Sequence, residues 1–405
     1  MGTVGLGECP RLLVIADKFK GTLSAAEVTQ AVCAALREVD ATARIDQLAL
    51  ADGGEGTLEA VADLLGGVRR CVVCTGPLGR PRRAGVLLVR EGGQRIGVIE
   101  ASQACGRGYD GPGRSGALRP LDAGTRGVGE LLGEALSAGA DRLWVGLGGS
   151  LSTDGGAGLL AGLGFGLLDG AGRVLPGGGG ALIGLSRMVR PSGLRLRGDR
   201  VLVLADVALP LLGPRGSAAV FAPQKGATPG QVRLLEAGLE RLVAVARRDL
   251  GVPEGMAMAP GSGASGGLGW ALHAVLGCRI VSGADVLLGL PRARALLEGA
   301  DVLISGEGRL DRPSLEGKLV GQVLKRAEGR PVVLVVGENV LSARECRRAG
   351  IEQVFSLTEA MGGDRVEAQQ RAEEALARAC RELGRWWVDR RIRGAMVRGR
   401  AGAVS

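Results

Sequence analysis

Aromatic side chains are nearly absent: one tyrosine (Tyr109), four phenylalanines and four tryptophans make up 2% of 405 residues. The stacking platforms that recognition of RNA and single-stranded nucleic acid depends on are therefore largely missing, and no nucleic-acid partner is expected. Histidine is rarer still. His273 is the only one, in an apolar helical stretch (268–276) that reads as core, so a His-based zinc site or a Ser-His-Asp triad lacks its parts. Long hydrophobic runs are also missing. No stretch approaches 18 uninterrupted apolar residues, and residues 1–10 carry Glu8 and Cys9 where a signal peptide needs a basic start and an apolar run. The expectation is a cytoplasmic protein with no membrane partner.

Lysine is the other scarcity. The chain has 51 Lys plus Arg, of which only Lys18, Lys20, Lys225, Lys318 and Lys325 are lysine. Where arginine serves almost everywhere, a surviving lysine suggests that a compact charge on a flexible stem is required. The net charge of +9 is partly local, since Arg385, Arg390, Arg391, Arg393, Arg398 and Arg400 against Asp389 place +5 in the last 21 residues. Residues 385–405 read as a basic, solvated tail. Of the eight cysteines, Cys71 and Cys74 alone are close, and on a strand that spacing puts them on opposite faces.

With 46% hydrophobic and 23% charged residues the chain has ample core material, and its length favours two domains. Short Val/Leu/Ile runs alternate with Ala/Leu-rich amphipathic segments, the pattern of an α/β protein with largely parallel sheets. Strands are predicted at 11–16, 45–50, 71–74, 85–90, 97–101, 142–147, 201–205, 302–305 and 332–336. Helices are predicted at 24–38, 55–65, 127–138, 231–249, 316–327 and 365–385, the first opening on the capping box Ser24-Ala-Ala-Glu27. The glycine run 177–180 reads as a surface loop.

Glycine patterns need discounting, because 72 glycines generate them freely: G-x-G-x-x-G occurs three times, at 106–111, 111–116 and 261–266, none after a clear strand. More telling are acid-plus-glycine loops between a strand and a helix, where open α/β sheets bind ligands. Asp17-Lys18-Phe19-Lys20-Gly21-Thr22 leads into a helix N-terminus, which favours an anion such as phosphate. Asp52-Gly-Gly-Glu55-Gly-Thr57 follows the second strand. Gly148-Gly149-Ser150 with Asp154, then Asp206, then Ser305-Gly-Glu307-Gly-Arg309-Leu-Asp311 with Gly317-Lys318 complete the set. Carboxylates for Mg²⁺, lysines for phosphate oxygens and N–H-rich loops are what phosphoryl transfer needs, so these residues point to a small-molecule kinase.

At these loops the chain resembles the bacterial glycerate kinases of the glycerate 2-kinase type. The matching stretches are ADKFKGTLSA (16–25), LADGGEGT (50–57), TGPLG (75–79), TRGVGELL (125–132), GLGGSLSTDGGAG (146–158), ADVALPLLGPRG (205–216), APQKGAT (222–228), GSGASGGLG (261–269) and SGEGRLD with GK (305–318). The resemblance covers about residues 11–360. It implies ATP-dependent, Mg²⁺-assisted phosphorylation of D-glycerate to 2-phosphoglycerate by two α/β domains with largely parallel sheets and an active-site cleft between them. The domains expected are a discontinuous Rossmann-like or flavodoxin-like one (1–74 plus 290–384), a second inserted in it (75–289), and the tail (385–405).

Within that resemblance Asp206, Glu307 and Asp311 are candidates for Mg²⁺ ligation or for accepting the substrate's hydroxyl proton, with Asp206 and Glu307 as the metal pair and Lys20 as a further catalytic group. Lys18, Lys20, Gly21, Gly148, Gly149, Ser150, Asp154 and Lys318 are expected at the nucleotide. Lys225, Arg126, Asp52 and Glu55 are expected at the substrate. Leu209 stands where the family usually has Asn, Pro313 where it has a polar residue, Ala16 where it has Pro and Ala222 where it has Gly. Leu151-Ser152-Thr153 also differs from the usual run. A different hydroxy-acid acceptor, a nucleotide- or metabolite-binding homologue without turnover, and assembly as a homo-oligomer stay open at this point.

Overall fold

The structure, a computed structural model, describes residues 10–19, 21–107, 118–206 and 208–401, with side chains as far as 392. Its strands are β1 (Arg11–Ala16), β2 (Arg44–Ala49), β3 (Val68–Thr75), β4 (Pro81–Glu91), β5 (Gln94–Glu100), β6 (Arg142–Gly146), β7 (Gly166–Leu168), β8 (Arg187–Val189), β9 (Val201–Leu204), β10 (Arg279–Val281), β11 (Val302–Leu310), β12 (Val332–Asn339) and β13 (Ile351–Ser356). The chain divides into two units, Met1–Asp52 with Ala284–Ser405, and Gly53–Gly283.

The first unit is built on a five-stranded, all-parallel sheet in the order β13-β12-β11-β1-β2. Counted along this unit alone the order is 2-1-3-4-5 reversed, the flavodoxin-like arrangement, and strand order changes direction between β1 and β11. Leu12 to Ala16 are all buried, as a central parallel strand covered on both faces requires. The helix Ala25–Val39 starts at the predicted capping box: Glu27 N donates to Ser24 Oγ at 3.2 Å and Ser24 N to Glu27 Oε2 at 2.7 Å. It buries Val28, Val32, Cys33 and Leu36 in a core shared with Leu376, Leu383 and Trp387.

Trp387 overturns the tail. In place of a solvated end after 384, one helix runs Ala372–Ala401. Trp387 is 0% exposed, with its indole N–H donating to Asp40 Oδ2 at 2.9 Å, and Arg391 Nε lies 3.3 Å from the same oxygen. Arg390 stacks over Trp386, its guanidinium carbon 5.4 Å from the ring centroid, and pairs with Glu352. The charge count hid an apolar helix face, because the arginines stack and pair while the tryptophans fill the core. The predicted helix 365–385 is also broken, into Arg365–Gln370 and the long helix, at Arg371.

The second unit carries a six-stranded sheet in the order β10-β9-β6-β5-β4-β3, parallel from β5 to β10 and antiparallel across β5-β4-β3, beside the small antiparallel pair β7-β8. This moves the first predicted boundary from 74/75 to 52/53, and the second from 289/290 to 283/284. β3 pairs residue by residue with β4 from Val68↔Leu88 to Thr75↔Pro81, through a tight turn closed by Gly76 N to Arg80 O at 2.7 Å, so it belongs to that sheet. Cys71 is exposed and Cys74 buried, on opposite faces as expected. The glycine run is not a surface loop throughout. Gly179 is buried, and a Cβ there would stand 2.1 Å from Thr153 O.

Candidate active site

In the first unit the candidate groups gather where the strand order reverses. β1 ends at Ala16 in register with Gly306 of β11, and Asp17 N donates to Gly306 O at 3.0 Å, which sets the loop after β1 beside the end of β11. Phe19 pins that loop from within: it is buried, and its N–H donates to Leu23 O at 2.8 Å. Gly21, at φ +84°, makes the turn. Asp17 and Lys18 are half-buried, while Lys20 lies outside the described residues.

The helix start offered to phosphate is met by the chain's own groups. Ser24 N and Oγ both donate to Glu27 Oε2, and the N–H groups of Thr22 and Leu23 donate to Phe19 O. That carboxylate already complements the helix dipole.

Glu307, on β11, is an acid of this unit that burial pushes upward. It is 7% exposed and its Oε1 has no hydrogen-bond partner, while Oε2 lies 4.0 Å from Lys318 Nζ. Burial pushes its carboxyl up to about 7; the Ser314 hydroxyl and the Lys318 ammonium pull it down, and the charges of Asp311 and Asp52 add to the rise. Asp311 is the N-cap of the helix Arg312–Glu316, its Oδ1 accepting from Ser314 N at 3.1 Å and Ser314 Oγ at 2.9 Å. Pro313 lies in that helix's first turn, where a missing N–H has no intrahelical acceptor to lose. Lys318 is the N-cap of Leu319–Arg326, so the predicted helix 316–327 is interrupted at Gly317.

In the second unit the loops at the C-terminal ends of the parallel strands lie backbone to backbone. A Cβ on Gly53 would stand 2.6 Å from Leu204 O, and one on Gly148 2.6 Å from Gly54 Cα. The glycines of LADGGEGT thus let one loop cross the ends of β6 and β9. Gly149 (φ +65°) and Ser150 follow β6, Glu55 is exposed, and Asp206 is half-buried just past β9. Lys225, 6% exposed, donates from Nζ to Ser150 Oγ at 3.3 Å and to the carbonyl of Ser152. Leu209 bonds through its backbone, accepting from Gly263 N at 2.9 Å.

Two predicted residues have their polar groups engaged within the protein. Asp154 is 0% exposed; its Oδ2 accepts from Thr125 N, Thr125 Oγ1 and Gly158 N at 2.8 to 3.1 Å and its Oδ1 from Gly156 N at 3.1 Å. It ties the starts of the helices Arg126–Ser137 and Ala157–Gly162 together, and both of its oxygens are taken up by these four protein donors. Arg126 is exposed and spends its Nε on Glu130 Oε1, 3.1 Å away on its own helix.

Sequence reasoning missed two buried charges. Glu100, ending β5, accepts from Ser102 Oγ at 2.8 Å and Leu58 N at 3.3 Å, with its carboxyl pushed up by burial; an acid at a strand end before a helix was the available signal. Arg82, 5% exposed, donates from Nη1 to Ala104 O and Gly106 O, and nothing marked it among so many arginines. Gly106 in turn bridges Ser150, so Arg82 braces the loop that Lys225 touches. His273, read as core from the sequence, is half-buried, its Nδ1 2.7 Å from Cys278 O.

Among the described residues no three His, Cys, Asp or Glu side chains converge as a metal cage, and no helix is long and apolar enough to cross a membrane. Mg²⁺ needs no such cage. It takes one or two carboxylates with water and phosphate oxygens, and single hard-oxygen donors such as Asp206 fit that demand.

A family model described as "Glycerate kinase family" matches residues 12–388. The chain is 37% identical to a glycerate kinase of Bacillus subtilis over 92% of its own length and 96% of the relative's. It is 34% identical to the glycerate 2-kinase of Escherichia coli over 92% and 97%. A crystal structure of a putative glycerate kinase 2 from Salmonella typhimurium superposes with a TM-score of 0.72 at 34% identity, covering 94% of this chain and 99% of that one. Family model, sequence relatives and solved structure converge on one assignment: the chain belongs to the glycerate kinase family.

Proposed function

We propose that this kinase transfers the terminal phosphoryl group of ATP to the 2-hydroxyl of D-glycerate, giving 2-phosphoglycerate and ADP. Glu307 carries the reading: a buried carboxyl with a pKa of about 7 and an unpartnered oxygen, at the strand-order reversal of an open α/β sheet. A base that takes a hydroxyl proton works best with a pKa near the working pH. Glu307 accepts that proton on Oε1. Lys318 keeps the carboxyl from rising further and adds positive charge for phosphate oxygens.

Lys225 and Ser150 serve the acceptor, because a buried ammonium held by protein oxygens is well placed to bond a carboxylate. Asp206 would hold Mg²⁺, which when bound neutralises charge on the phosphates. Glu307 is kept as base and not as metal ligand, since the neighbouring Lys318 ammonium opposes a second cation. ATP as donor goes with a cytoplasmic setting.

The test is incubation with MgATP and D-glycerate, with the product identified by phosphorus NMR. 2-Phosphoglycerate is expected; 3-phosphoglycerate alone, or no phosphorylated acid, defeats the proposal.

A further inference from the structure

Left-handed backbone is almost wholly reserved for glycine in this chain. Among the described residues the only other positive φ values belong to Ser265 and Glu328, both at +50°. Glu328 is exposed, in a turn before Gly329. Ser265 is different: it opens a run of three left-handed residues with Gly266 (φ +72°) and Gly267 (φ +95°), inside the second unit. A Cβ in that conformation costs stability that glycine would not. The hydroxyl gives nothing back within the protein, because Ser265 Oγ is buried and has no hydrogen-bond partner.

The surroundings say what could use it. The turn crosses the loop after β6 at close quarters: a Cβ on Gly266 would stand 2.0 Å from Ser152 O and 3.1 Å from Thr153 Cα, and Gly155 N donates to Gly266 O at 2.9 Å. Thr153 has no exposed surface, and its Oγ1 also has no partner. Ser152 O, the carbonyl that Gly266 abuts, accepts from Lys225 Nζ. Two unpartnered hydroxyls and a buried ammonium thus flank one short piece of backbone. Orphaned buried hydroxyls are costly and persist where something else supplies the partner. Hydroxyls and an ammonium together present donors, which suits a carboxylate.

We propose that Ser265, with Thr153, hydrogen-bonds the carboxylate of the acceptor beside Lys225, so that this subsite selects an acid over a neutral polyol. The identity of the acceptor rests on the kinase reading above; the donor cluster does not. An alcohol in place of the carboxylate offers these donors a weaker acceptor.

The experiment measures binding of D-glycerate, glycerol and MgATP to the full chain by calorimetry, for the wild type, Ser265→Ala, Ser265→Gly and Glu328→Gly. Both Ser265 variants should weaken D-glycerate binding about tenfold or more while MgATP affinity holds. Ser265→Gly should also raise Tm by about 1–3 °C through relief of the left-handed turn, and Glu328→Gly should do the same with no change in D-glycerate affinity. Unchanged D-glycerate affinity in both Ser265 variants overturns the assignment, as does an equal loss of MgATP binding, which would mark a structural role. A wild type that binds MgATP but no D-glycerate defeats the kinase reading and takes this proposal with it.

Discussion

Replacing Glu307 by glutamine keeps the shape of the side chain and removes its ability to take a proton, and the buried setting gives that change two opposite consequences. Loss of a positioned base should lower kcat by about 10² to 10⁴. Stability should move the other way. The folded carboxyl is raised from 4.5 to about 7, so the folded protein binds more protons than the unfolded chain between those values, and stability falls as pH climbs through that window. The full difference is about 3 kcal/mol once pH exceeds 7. Glutamine carries no such penalty. At pH 8 Glu307→Gln should therefore resist urea better than the wild type by up to about 3 kcal/mol, and at pH 5 by less than about 1 kcal/mol. Urea unfolding at the two pH values, with coupled ADP-release kinetics on the same preparations, tests both halves. A variant with kcat within tenfold of wild type, or one less stable than wild type at pH 8, would refute the account of Glu307.

Lys318→Met removes a charge that holds the Glu307 carboxyl down, so the acid limb of the kcat/KM profile should move to higher pH, and an unmoved limb would detach Lys318 from Glu307. Asp154→Ala strands four donors in the second unit and should lower Tm by roughly 6–12 °C; a Tm within 2 °C of wild type with weakened nucleotide binding would restore Asp154 to the ligand. Trp387→Ala empties a fully buried site and should cost about 3–5 kcal/mol in urea unfolding, whereas a solvated tail would lose almost nothing.

Local signals were the legible ones. β1 was read to the residue and the Ser24–Glu27 capping box is present, because each depends on neighbours in sequence. Four of the five acid-plus-glycine loops do follow parallel strands, since a strand followed by a polar turn and a helix leaves little choice; the fifth is not a loop, because the strand predicted at 302–305 runs on through Glu307 to Leu310. What escaped depends on distant partners. β3 looks like a fragment of the first unit until its pairing with β4 is known. Asp154 looks like a ligand-facing acid until Thr125, nearly thirty residues earlier, is found beside it. The tail looked solvated because charge was counted at the tips of the arginines, while the packing is done by Trp386 and Trp387 and by stems that lie along them.

The pairing of Leu12 with Val302 has a consequence for synthesis. β1, an interior strand of the first sheet, waits on one side for a neighbour that emerges from the ribosome almost three hundred residues later, while every strand of the inserted unit has by then been made. At translation speeds of about 5–20 residues per second, β1 and β2 spend roughly ten seconds to a minute as an unfinished edge. Such an edge invites pairing with other chains, and the unfinished pair β1-β2 is where a nascent-chain chaperone would be most needed.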